Sequence, residues 1–137
     1  MTNCELNFAA YCWQGDERLV PDAPGIYCAY SCIARGERQD VDRLLYVGCA
    51  TSLRERLVRH SAERDLNRPD EEGRRIFYSY ALLDTERFEA CKDAMVRHFS
   101  PAYGDNNDSG RRSADGIRVT VSGPWAFRIR GVFEEGV

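Results

Sequence analysis

Two tripeptides, Gly25-Ile26-Tyr27 and Tyr46-Val47-Gly48, flank the eighteen residues from Cys28 to Leu45 and do most to set what this chain can fold into. Each lies in a run of β-favouring residues. Gly25 to Ala34 contains Ile26, Tyr27, Tyr30 and Ile33, and Leu44 to Gly48 follows after a polar stretch, Arg35 to Asp42, that reads as a loop. The simplest connection is an antiparallel pair. Ala23-Pro24 imposes an extended entry, and the residues before it read as a lead-in. Side chains alternate across a strand, so Tyr27 points away from the face shared by Ile26, Cys28 and Tyr30 and can present its hydroxyl at a surface.

Ser52-Leu53-Arg54-Glu55 has the S-x-x-E form of a capping box, in which the serine and glutamate side chains satisfy helix N–H groups that have no partner in the first turn. It predicts a helix running to about Arg64. Arg56 and His60 are four apart and share a face of that helix, with Leu53 and Leu57 on a neighbouring stripe. Arg75 to Leu82, rich in aromatic residues, predicts a third strand, and Thr85 to Phe99 a second helix that stops before Pro101. Tyr103 to Gly116 is a polar loop. Ile117 to Val121 and Trp125 to Ile129 then alternate apolar and polar residues around Ser122-Gly123-Pro124, the pattern of a hairpin.

At 137 residues the length predicts one domain, with its core over 23–107 and the loop and hairpin over 108–137. The fold class expected is α+β. No apolar run approaches the length that spans a bilayer, and the first fifteen residues lack the basic and apolar regions of a secretory signal, so no membrane is expected and the default location is cytoplasmic. Cys4, Cys12, Cys28, Cys32, Cys49 and Cys91 are scattered through apolar segments without a C-x-x-C pair, which predicts reduced and mostly buried thiols. With only His60 and His98 to join them, structural zinc is not expected. The net charge of −3 is unlike that of a general nucleic-acid binder. Arg54, Arg56, Arg59, Arg64 and Arg68 nonetheless fall in one short stretch, which predicts a local positive patch.

Taken in order, Gly25-Ile26-Tyr27, the stretch Tyr46-Val47-Gly48-x-Ala50-x-x-Leu53-x-x-Arg56-Leu57-x-x-His60, and a later Pro101 followed by Asn106 resemble the GIY-YIG nucleases. The resemblance covers roughly 25–107. It implies a small three-stranded antiparallel sheet flanked by helices, to which this chain adds the C-terminal hairpin. It also implies a metal-dependent endonuclease that hydrolyses phosphodiester bonds of DNA. Tyr27 would accept a proton from the attacking water, Tyr46 would orient water or phosphate, Arg56 would clamp the phosphate and His60 would support them. Gly48 and Asn106 are supporting positions, with Asn107 close to equivalent. A tyrosine ionises near pH 10, so it acts as a base only where positive charge stabilises its phenolate, and Arg56 is the natural supplier. Arg54, Arg59, Arg111 and Arg112 are candidates for contacts to the nucleic-acid backbone.

The resemblance further implies one Mg²⁺ or Mn²⁺ held by a glutamate on the second helix, and counting back from Pro101 places Lys92 there. An ammonium cannot ligate a cation that requires oxygen donors. Glu89 and Asp93 are possible substitutes, each displaced from the ideal position in height or helical angle. Lys92 lies on the stripe with Phe88, Met95 and Phe99, and it is the chain's single lysine against eighteen arginines. That usage suggests a charge-reversing replacement, leaving the chain impaired as a nuclease. The alternative is a noncatalytic nucleic-acid-binding module of the same fold. A third possibility is a protein-interaction domain using the Trp125 to Ile129 hairpin, with an unknown protein partner, whereas cutting both strands with a single active site would favour a homodimer or sequential nicking.

Overall fold

The hairpin bracketed by the two tripeptides is longer than its sequence signals. In this computed structural model, which describes residues 1–62, 74–101 and 116–136, β3 spans Gly25–Arg35 and β4 spans Arg38–Ala50, paired antiparallel. The polar stretch expected as a loop is therefore largely strand, turned at Gly36 with φ +65°. Polar residues suit this end of the hairpin because it is exposed, and Asp40 is paired there with Arg35 at 3.0 Å and Arg38 at 2.9 Å. On the other side of β3 lies β5, Arg74–Leu82, and beyond β5 lies β2, Ala10–Trp13. The result is a four-stranded antiparallel sheet in the order β2-β5-β3-β4, one strand more than expected.

The segment before Pro24, expected as a lead-in, supplies two strands. Besides β2 it forms β1, Thr2–Asn7, which pairs in parallel with β6, Ile117–Ser122, in a second sheet completed by β7, Gly131–Glu135. The partner of β6 is thus 131–135 and not Trp125 to Ile129. That intervening segment bonds elsewhere: Trp125 N–H donates to the Phe8 carbonyl at 3.1 Å, the Phe127 carbonyl accepts from the Tyr30 hydroxyl at 3.0 Å, and Arg128 has a positive φ of 67° that breaks an extended run. Its apolar residues Ala126 and Ile129 are buried all the same, which is why their alternation resembles a strand.

The first helix, α1, covers Leu53–Ala62. The serine half of the capping box is present, with Ser52 Oγ accepting from Glu55 N–H at 3.2 Å. The second helix, α2, covers Phe88–Phe99 and begins later than expected because residues 85–87 form a turn held by Asp84, whose Oδ1 accepts from Arg87 N–H at 3.2 Å. The two helices serve opposite faces of the larger sheet. Leu53 and Leu57 of α1 pack with Tyr27, Ala29, Tyr46 and Tyr78, whereas α2 packs on the face formed by Ile26, Cys28, Val47 and Phe77. Because α2 also touches β6 and β7 of the second sheet, it is buried over most of its circumference, from Phe88 through Val96. All six cysteines are free thiols, five buried and Cys49 partly exposed. Among the described residues no helix is long and apolar enough to cross a membrane.

Candidate functional site

Strand register brings the two tyrosines of the tripeptides together. Tyr27 lies opposite Gly48 and Ala29 opposite Tyr46, so Tyr27 and Tyr46 are diagonal neighbours on one face of the β3–β4 pair. Their rings stack with centroids 5.8 Å apart. Gly48 makes this possible. A Cβ there would stand 2.6 Å from both Cζ and Oη of Tyr27 and 2.7 Å from Cε1 of Tyr46. Gly25 has an equally specific cause, since a Cβ would fall 2.3 Å from the Ala81 carbonyl oxygen of β5 and 2.9 Å from Cδ1 of Leu53. The glycine in each tripeptide is required by what crosses over it.

Helix α1 lays Arg56 and His60 onto the same face. The Tyr27 hydroxyl and His60 Nε2 are 2.9 Å apart, and the imidazole meets the Tyr46 ring at 4.9 Å between centroids. Arg56 donates hydrogen bonds to both phenols. Tyr27, expected to show its hydroxyl at a surface, is instead fully buried beneath α1; Tyr46 is nearly so, and Arg56 is the member of the group that reaches solvent. The difference follows from Leu53 and Leu57, which bring the helix down over the face that Tyr27 occupies.

Burial decides the charges. It raises the Tyr27 pKa well above 10, reinforced by the neighbouring Tyr46 and opposed by the charge and hydrogen bond of Arg56. Burial likewise lowers His60 to about 4, assisted by the positive charges of Arg56 and Arg59. Arg56 is itself pulled down by burial, but the two phenols more than restore it. At neutral pH the neutral Tyr27 phenol therefore lies between a neutral imidazole and one guanidinium. In the tautomer with its proton on Nδ1, His60 accepts from Tyr27 through Nε2.

Lys92 lies on the other helix, α2. It is 7% exposed on α2, and its Nζ lies 2.5 Å from Oδ1 of the fully buried Asp93. At Cys49, near the end of β4, burial raises the thiol to about 11, and the charges of Lys92, Glu89 and Asp93 from α2 and of Arg56 from α1 act on it. Glu89 is partly buried. Among the described residues no three His, Cys, Asp or Glu side chains converge as metal ligands. With an ammonium already paired to the nearest buried carboxylate, the donor set does not fit Mg²⁺ or Mn²⁺.

Of the proposed backbone contacts, Arg54 and Arg59 are exposed on α1, but Arg54 also donates to the Val20 carbonyl at 2.8 Å and so anchors the turn beneath the helix. Asn106, Asn107, Arg111 and Arg112, with Arg64 and Arg68, lie outside the described residues. Tyr80 was not among the expected site residues, although alternation along Tyr78-Ser79-Tyr80 puts it on the Tyr27 face; β5 sets it directly opposite Tyr27, on the side away from Gly48. The aromatic residues of the third possibility gather on the far face, where Tyr11 meets Trp125 at 3.9 Å between centroids with the rings tilted by 33°, and Arg75 lies 4.0 Å above Trp13. No protein-family model matches this chain, nor does any curated protein or solved structure.

Proposed function

We propose that Tyr27, Tyr46, Arg56 and His60 form a phosphodiester-handling site of the GIY-YIG kind, directed at DNA, in a chain that Lys92 leaves impaired as an endonuclease. The observation that carries this reading is the 2.9 Å contact between the Tyr27 hydroxyl and His60 Nε2 beside a guanidinium bonded to both tyrosines. A stacked tyrosine pair needs none of those polar partners to be stable. Arg56 would bind a phosphate oxygen and offset the negative charge that grows on it as the bond to water forms.

A phenol with a raised pKa does not supply a ready-made phenolate, so Tyr27 acts as a relay. As water attacks phosphorus, its proton passes to the Tyr27 oxygen while the hydroxyl proton of Tyr27 passes to His60 Nε2. The P–O bond to the leaving alcohol then breaks, that oxygen takes a proton from solvent, and the imidazolium gives its proton back to solvent, which restores the site. Imidazole is neutral at neutral pH and holds this proton only transiently, because its pKa of about 4 makes it a weak base. The resemblance implies a divalent cation opposite the base, but the residues around Lys92 do not fit one, and no step here passes through it.

The test is cleavage of plasmid and single-stranded DNA with Mg²⁺ or Mn²⁺ by the unaltered chain, Lys92→Glu, and Lys92→Glu combined with Tyr27→Phe. Activity in the single variant, reduced about 10²- to 10⁴-fold in the double one, is the expected result. The buried Lys92–Asp93 pair favours a second reading, a noncatalytic module that binds DNA through Arg56 and its neighbours. Silence of all three proteins, with DNA binding intact, would select that reading and remove the first.

A further inference from the structure

We propose that Cys4 and Cys91 form a peroxide-oxidisable pair that closes into a disulfide joining β1 to α2. The two sulfur atoms are 3.0 Å apart although their residues are 87 positions apart in the chain. Both are free thiols, 1% and 0% exposed, so they face each other in a place where few other groups compete for either. A disulfide needs a sulfur–sulfur distance of about 2.05 Å, so closure asks for a movement of about 1 Å. No strand has to leave its sheet.

The pair is asymmetric. The contact with Cys91 lowers the pKa of Cys4 against the opposing effect of burial, and the Arg87 guanidinium lowers it further. Cys91 is raised by the same contact and by burial. Cys4 is the attacking thiol because its chain neighbours Asn3 and Glu5 line an open depression beside Arg87, and Cys91 on α2 is the resolving one. Arg87 is fixed nearby by donating to the Asn3 carbonyl at 3.2 Å and pairing with Asp84 at 2.5 Å, and it lines an open depression together with Asn3 and Glu5. The burial of both sulfurs selects a small oxidant.

The electron count closes with hydrogen peroxide. The Cys4 thiolate attacks one peroxide oxygen, forming S–O and breaking O–O, and the released hydroxide takes a proton to become water. The Cys91 thiol then attacks the Cys4 sulfenic acid, forming S–S and breaking S–O, and a second water leaves. Two thiols lose two electrons and two protons, and one peroxide becomes two waters.

The experiment treats the full chain with a small molar excess of hydrogen peroxide, alkylates the remaining thiols under denaturing conditions, and maps the peptides by mass spectrometry without reduction. The expected result is a linked Cys4–Cys91 peptide pair, four alkylated cysteines, and a melting temperature raised on the order of 10 °C by closure of so long a loop. In Cys4→Ser the link disappears and Cys91 becomes alkylated. Full alkylation of Cys4 and Cys91 in the treated protein would overturn the proposal, and so would a link from Cys91 to Cys49. Both the supporting and the opposing result come from the unaltered chain, so they stand even where a serine variant fails to fold.

Discussion

Tyr27 and His60 set each other's chemistry through one short contact and one shared cause, their enclosure under α1. His60 is held neutral because its folded pKa, about 4, lies below the ordinary value of 6.5. Above pH 6.5 the imidazole is neutral in both folded and unfolded chains, and its contribution to stability is fully present. As pH falls from 6.5 toward 4, the unfolded chain gains a proton that the folded one refuses, so stability drops by up to about 3 kcal/mol. The measurable consequence is a urea midpoint that declines through this window in the unaltered protein and declines less in His60→Gln. Equal slopes between pH 6.5 and 5, above the range where most carboxylates titrate, would mean that the imidazole is not held neutral by its surroundings.

At the scale of elements, α2 is the most demanding piece, a helix enclosed by two sheets that still carries Lys92 and Asp93 side by side. A buried ion pair contributes little over well-packed apolar residues, but removing one partner leaves a charge in a poorly solvated place. Lys92→Met takes the ammonium from Asp93 and is expected to cost about 3–5 kcal/mol in denaturant titrations. Lys92→Glu costs at least as much in chelator, and Mg²⁺ then raises its melting temperature while leaving the unaltered protein unmoved. A Lys92→Glu protein as stable as the unaltered one in chelator would show that the pair does not support α2. The inward position of Lys92 was legible from the stripe it shares with Phe88 and Met95, and the start of α1 from Ser52. The β3–β4 pair was legible because its register is local. β1 and β2 were not, because their partners lie far along the chain and short strands carry little pattern of their own, and β7 was missed because the buried Ala126 and Ile129 give the segment before it a strand-like alternation. At the site, sequence spacing put Arg56 beside His60, but the enclosure of Tyr27 depends on where α1 lands, which no local pattern encodes.

For the molecule as a whole, the proposed function asks a chain of net charge −3 to meet DNA at one patch, the arginines of α1, and to repel it elsewhere. If Arg54, Arg56 and Arg59 each neutralise one phosphate, log K falls with log salt at a slope of about −3. Fluorescence anisotropy on a short duplex checks this, and a slope near zero would take these arginines out of contact with phosphate. The parallel pairing of β1 with β6 has a consequence of another kind. Thr2 aligns with Ile117, so the smaller sheet forms only when segments more than a hundred residues apart have found each other. Contacts of such long range slow folding, because the entropy of closing the loop is spent before any pairing rewards it. The β3–β4 hairpin needs no such meeting and can form early, leaving one side of α2 uncovered until the smaller sheet assembles. During that interval the helix shows Cys91 and its apolar neighbours to solvent, and the chain is at its most exposed to aggregation and to chaperones that bind apolar helices.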